Sequence, residues 1–314
     1  MLIKNLTISI LIFCFSMLVN ANEIDPLYPT HEILEGSSTQ QWPYPLPFMA
    51  QDVLDMGFEL PHPFGISILY AHVNQELELS NLNVGFGSNS KNNLDEYVKL
   101  DNAFAINDTV QIKADAWIFP FMNVFAYIGA IDGTANLDIG LDFGASDGDI
   151  CNPSGPKPPP DICANLGGKT FHIDNINYTG YNIGIGTILA AGWEEWFLAI
   201  PISYTWSDIN IMKTVVETIN ITPRLGYSFN MKKLGNIYPF IGATYLDVDM
   251  IIEGEILSND GTTLIDYDLR QVNKDKWNAL LGYNWDFSKK WSWNLEAGFL
   301  GSRSDVITGV TYRY

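Results

Sequence analysis

Residues 196–207, Trp-Phe-Leu-Ala-Ile-Pro-Ile-Ser-Tyr-Thr-Trp-Ser, limit what this chain can become more than any other stretch. Every even position there is large and apolar or aromatic, and after Phe197 the odd positions are small or polar apart from Pro201. Period two is the pitch of a β-strand with one greasy and one wet face. The pattern recurs with Val110, Ile112, Ala114, Ala116 and Ile118 set against Gln111, Lys113 and Asp115. It recurs with Ile219, Ile221, Leu225, Tyr227 and Phe229 against Thr218, Asn220, Thr222 and Arg224, and with Trp291, Trp293, Leu295, Ala297 and Phe299 against Ser292, Asn294 and Glu296. Such segments of about ten residues are long enough to cross a bilayer at a tilt, apolar side outward. Beyond residue 21 no apolar run reaches the roughly 18 residues that a spanning helix needs.

A soluble β-sandwich alternates as well, so the connections must arbitrate. Aromatics crowd the short ones: Trp117 to Phe121, Trp193 to Phe197, Phe229 with Tyr238 and Phe240 around Met231 to Asn236, and Trp285 to Trp293. Between them lie longer polar and acidic connections, around 87–96, 145–175, 208–215 and 257–263. Short aromatic-flanked turns that alternate with long polar loops put all the short turns on one rim. A sandwich has no reason to sort them so; a transmembrane barrel has. The sequence therefore predicts an all-β, antiparallel, up-and-down transmembrane β-barrel of about ten strands. The strands are expected near 65–79, 98–118, 123–143, 177–192, 196–207, 216–229, 238–254, 264–287, 291–301 and 305–314. Two more would be added if Asn81 to Phe86 paired separately, and Ile265 to Lys276 reads equally as strand extension or loop.

The chain closes on Thr308-Gly309-Val310-Thr311-Tyr312-Arg313-Tyr314. This heptad resembles the carboxy-terminal insertion signal of Gram-negative outer-membrane β-barrel proteins, with Thr308, Gly309, Tyr312 and Tyr314 at its defined positions and Tyr in place of the commoner final Phe. The resemblance implies the outer membrane as location, with its lipid and the barrel-assembly machinery as partners. It singles out no family of known activity.

The amino terminus fits an exported chain. Lys4, the apolar run from Leu6 to Val19 and the small-residue site Val19-Asn20-Ala21 read as a signal peptide over 1–21. Residues 22–62 then form a periplasmic segment, tail or plug, rich in proline at Pro43, Pro45 and Pro47, and the barrel fills 63–314. In an oxidising compartment Cys151 and Cys163 read as a disulfide worth about 3 kcal/mol, which would clamp a loop stiffened by Pro158, Pro159 and Pro160. A net charge of −19 argues against nucleic acid.

If the polar face points inward, the lumen carries Lys113, Asp115, Asp132, Arg224, Asp247, Asp249, Glu296 and Arg313, with His72 and Glu76 as further candidates. Two functions compete for them. They form either an internal network of ion pairs that fills a narrow barrel, or the lining of a narrow porin-like channel for small solutes whose acidic excess favours cations. A structural or adhesive barrel that binds ligand through its outer loops is the alternative. An outer-membrane hydrolase is a third class, carried only by His172 beside Asp174 or by His72 with Glu76, and neither builds a dyad with a nucleophile. No metal-ligand spacing and no cofactor motif is present; Asp142, Asp147 and Asp149 in a Gly-rich loop read as solvated carboxylates.

Overall fold

The computed structural model describes residues 41–56, 58–86, 91–141, 169–210, 216–257 and 263–314. The signal peptide, His31, the Cys151–Cys163 pair and Asp142, Asp147 and Asp149 lie outside the described residues.

Among the described residues a short helix, α1 (Ala50–Asp55), precedes the strands β1 (Phe64–Phe86), β2 (Asn92–Asn93), β3 (Val98–Phe119), β4 (Met122–Leu141), β5 (Thr170–Trp193), β6 (Trp196–Ile209), β7 (Val216–Ile221), β8 (Arg224–Tyr227), β9 (Phe229–Asn230), β10 (Asn236–Leu257), β11 (Thr263–Asn273), β12 (Trp277–Asp286), β13 (Trp291–Phe299) and β14 (Arg303–Arg313). All pairings are antiparallel. β7, β8 and β9 form one stave between β6 and β10, interrupted at Thr222 and Pro223, where proline has no amide proton to donate. The ring therefore has ten staves, and it closes through β1, which pairs β14 on one side and β3 on the other. Phe64 and Tyr314 exchange both backbone hydrogen bonds, so the last residue of the chain seals the first strand.

Burial follows the expected two-residue period. Ile66, Ile68, Val110, Ile112, Ile128, Ile183, Ile185, Leu225, Ile241 and Leu281 all stand exposed on the outer surface, with Ile241 67% exposed. A water-facing wall would not carry this continuous apolar band, and a bilayer removes its cost. Trp193, Trp196, Phe121, Phe229, Trp291 and Tyr314 border it at the short turns. Tyr70, Tyr181, Tyr204 and Tyr245 border it at the other end. Each donates its hydroxyl to a carboxylate, respectively Asp108 (2.5 Å), Asp208 (2.9 Å), Glu217 (2.6 Å) and Asp247 (3.0 Å). Amphipathic rings tied to charges mark where the wall leaves hydrocarbon. The molecule is a transmembrane β-barrel.

Above this rim the ring divides. β13 and β14 end at Phe299 and Arg303, and β11 takes their place, pairing β1 from Leu77 to Phe86 and β10 from Asp249 to Leu257. The ambiguous stretch from Ile265 to Lys276 is thus mostly strand, and Asn81 to Phe86 pairs apart from the ring without adding a stave. Ser302 fixes this junction: its carbonyl accepts from Glu76 N (2.7 Å), and its hydroxyl oxygen accepts from Asp275 N (2.8 Å) and Gln75 Nε2 (3.2 Å). A second flap is formed by the outer ends of β3, β4 and β5. Bilayer thickness explains neither flap, since each adds residues beyond the roughly ten that a crossing needs.

Candidate functional site: the filled interior

On β6, β10 and β12 the inward face carries an apolar cluster, Phe197, Ala199, Tyr238, Phe240 and Leu280, packed beside Ile188 of β5. Polar Asn182, Thr244, Asn278, Asn284 and Asp286 are buried on β5, β10 and β12 as well. Tyr238 is 0% exposed. Tyr238, Phe240 and Phe197 were grouped by sequence with the aromatics of the short turns, but they point into the barrel. The phase of an alternation fixes which residues share a face, and where both faces carry aromatics it does not say which face is inside.

The opposite side, along β14, β1, β3 and β4, is polar. Ser67 bonds Thr311 (2.8 Å), and Gln111 reaches Asn182 (3.4 Å). The charged core sits at the short-turn end. Asp115 accepts from Arg313 Nη2 (2.9 Å) and Asn123 Nδ2 (2.8 Å), and Lys113 Nζ lies 3.9 Å away over the Phe125 ring. Across the lumen Arg224 Nη2 meets Glu296 Oε2 at 2.7 Å, with the guanidinium over Phe240. The Asp115 and Glu296 side chains are 1% and 5% exposed. Arg303 and Asp305 make a further inward pair (3.0 Å), which sequence patterning did not single out because β14 was expected to begin at 305. Farther up, Gly184, Gly186 and Gly133 leave no room for a Cβ beneath the rings of Tyr127, Phe125 and Tyr178, so the aromatics lie against the wall and fill it.

Five of the eight expected lumen residues, Lys113, Asp115, Arg224, Glu296 and Arg313, thus converge on the interior. Asp132 does not: it is exposed on the same side of β4 as Ile128, above the hydrocarbon band. Asp247 shares the outer face of β10 with Ile241 and Ile251, where it bonds Tyr245 and Lys276 (2.7 Å). The Asp249 side chain lies outside what the structure describes. His72 also faces outward, bonded through Nδ1 to Asp108 (2.8 Å), and Glu76 pairs with exposed Lys274 (2.7 Å). His172 Nδ1 bonds Asp138 rather than Asp174, at 2.5 Å in an outer flap. Of the inward carboxylates, Asp115, Glu296 and Asp305 are matched by cations, and Asp286 accepts from Asn284 Nδ2 (2.6 Å). Of the terminal heptad, Thr308 accepts from Trp293 Nε1 (2.8 Å), Gly309 leaves space for Leu69, Tyr312 packs on Trp291, and Tyr314 contacts Phe64 and Tyr312.

Among the described residues, seven buried side-chain atoms in this interior have no hydrogen-bond partner within the protein: Gln75 Oε1, Asp115 Oδ1, Trp117 Nε1, Asn123 Oδ1, Arg224 Nε, Asn278 Oδ1 and Arg313 Nε. Four of them belong to the short-turn end. A groove of about 490 Å³ opens on the lipid side, between Leu198, Leu225, Ile241, Leu281 and Phe299.

No family model matches the chain, and no curated protein matches it. Among solved structures, it is similar to the transport unit of the autotransporter AIDA-I from Escherichia coli at 9% identity, over 80% of this chain and 90% of that one, with a TM-score of 0.34. It is similar to the toluene transporter TodX of Pseudomonas putida at 10% identity, over 81% and 91%, with a TM-score of 0.33. A third similarity is to an outer membrane channel from Pseudomonas putida F1, at 10% identity over 81% and 96%, with a TM-score of 0.34. Likeness this distant adds nothing to what strand pairing and burial establish.

Proposed function

We propose that the chain is an integral outer-membrane barrel that serves as a narrow, normally closed conduit for small solutes. The observation that carries this reading is the row of polar side chains along β3 and β14, Thr109, Gln111, Lys113, Asp115 and Arg313, which lines the interior beside the apolar cluster of Phe197, Tyr238, Phe240 and Leu280. That track, from Thr109 through Gln111, Lys113 and Asp115 to Arg313, offers donors and acceptors to a small hydrated solute. With its carboxylates paired, this track carries no strong cation preference.

Single-channel recording on the refolded protein in a planar bilayer tests this reading. Brief, small steps are expected, and Asp115→Asn, which leaves Lys113 and Arg313 uncompensated, shifts them toward anion preference. Steps of the same ion preference in parent and variant would refute this track as the path. The two flaps above the rim favour a second reading, in which the barrel binds a ligand at the cell surface. Removing both flaps with no change in whole-cell adhesion would count against that.

A further inference from the structure

The segment ahead of β1 is folded, and it lies where a conduit would have to end. Its front is tied to the lower end of β3: Phe48 N donates to Ile118 O (2.9 Å), and the Phe48 ring packs on Phe119 at 5.7 Å between centroids. Its rear is tied inside the mouth: Trp117 N donates to Pro63 O (2.9 Å), and Arg313 Nη1 donates to His62 O (3.2 Å). Tyr44 closes the loop on itself with a 2.7 Å hydrogen bond to His62 Nδ1 and an edge-on ring contact. Between these ties Pro61 reaches the β12–β13 turn, forming a small crevice with Asp286, Lys289, Lys290 and Arg313. Pro47, Ala50, Leu60, Pro61 and Pro63 are buried, so the segment is packed and is not a free tail.

The attachment is selective. The guanidinium that holds His62 O is the same one that holds Asp115, so a single side chain joins the segment to the charged core. Directly inside lie four of the unpartnered buried atoms, Asp115 Oδ1, Trp117 Nε1, Asn123 Oδ1 and Arg313 Nε. On the other face Phe48, Met49 and Met56 are exposed, so the segment is seated less firmly than a core element. Exposed apolar surface and under-bonded groups beneath are the physical marks of a part that opens below the global unfolding energy.

We propose that residues 43–56 and 58–62 belong to a displaceable strap across the periplasmic mouth, latched by Arg313, and that its release wets the Asp115–Arg313 core and opens the conduit. This deepens the proposed function and rests on it. Release exchanges the His62 O and Ile118 O hydrogen bonds for water and gives up the apolar contacts of Phe48 and Leu60.

The test uses the full chain with Cys14, Cys151 and Cys163 changed to Ser, recorded in planar bilayers. Tyr44→Phe with Phe48→Ala loosens the strap and should raise open probability at least about ten-fold. Phe48→Cys with Phe119→Cys, bridged by a short bis-maleimide, should abolish openings, while the same variant before bridging opens more than the parent. A heat-modifiable gel shift confirms that each variant is folded. Steps that occur equally in parent, loosened and bridged proteins would overturn the strap and leave the conduit standing. Silence in all of them, the loosened variant included, would overturn the conduit itself.

Discussion

Glu296→Ala tests the interior most sharply. Glu296 is 5% exposed, and its Oε2 lies 2.7 Å from Arg224 Nη2, whose side chain is 26% exposed. Removing the carboxylate strands a largely buried guanidinium, which for a fully buried pair costs about 3–5 kcal/mol. Partial exposure of Arg224 and its place over the Phe240 ring, a contact worth about 0.5–2 kcal/mol, soften this. The expected loss is about 2–3 kcal/mol, or roughly a 30- to 150-fold shift in the folding equilibrium. Reversible urea unfolding in lipid or micelles, followed by tryptophan fluorescence, reads it directly. The double variant Arg224→Met with Glu296→Leu should recover most of the loss, because it removes both charges and keeps the volume. A Glu296→Ala variant within about 0.5 kcal/mol of the parent, the size of an ordinary surface substitution, would refute the claim that these charges are buried against one another.

The other expectations concern the wall, the packing and the outer flap. Ile112→Lys places a charge in the apolar band and should cost about 2–4 kcal/mol, whereas Asp132→Lys, above that band, should cost little; equal effects in urea unfolding would contradict the assigned membrane boundary. Gly184→Ala puts a Cβ 2.2 Å from Tyr127 Cζ. It should cost about 1–3 kcal/mol, relieved when Tyr127 is also changed to Ala; unchanged stability of the single variant would mean the ring does not lie there. In the outer flap, the hydrogen bond from Lys91 and then that from Asn83 hold the Asp268 carboxyl below its ordinary 3.8. A depressed carboxylate contributes stability above the unfolded value and loses it as pH falls through the folded one, so β11 should lose protection from hydrogen exchange in acid below that value. Lys91→Ala should remove that acid step, and an unchanged step would assign it to other groups.

Much of the fold can be read from the residues, and the reasons differ by element. Trp196 to Trp206 shows its phase because one face is all large and apolar while the other becomes small or polar, so β6 faces the way the alternation says. In β10 the same logic misplaces Asp247, because Tyr238 and Phe240 are inward and Ile241 and Tyr245 outward; with apolar residues on both faces, only the tertiary surroundings choose. The phase of Asp132 was read from its charge, but beyond the bilayer rim an outward carboxylate costs nothing. The β13–β14 wedge and the crossing of β11 to β1 rest on pairings between distant strands that no local pattern records. The partnership of Asp115 with Arg313 joins residues 198 positions apart. Each was visible as a candidate and their meeting was not.

Site-directed spin labels at Thr109, Val110, Gln111, Ile112, Lys113 and Ala114, one at a time in bilayers, test the central claim most directly: a membrane-spanning wall around a filled, closed interior. Collision with oxygen should peak at 110, 112 and 114. Collision with a water-soluble nickel reagent should stay low at 109, 111 and 113. Nickel accessibility that peaks at 109, 111 and 113 would show an open aqueous lumen, and the absence of any two-residue period would contradict the spanning wall.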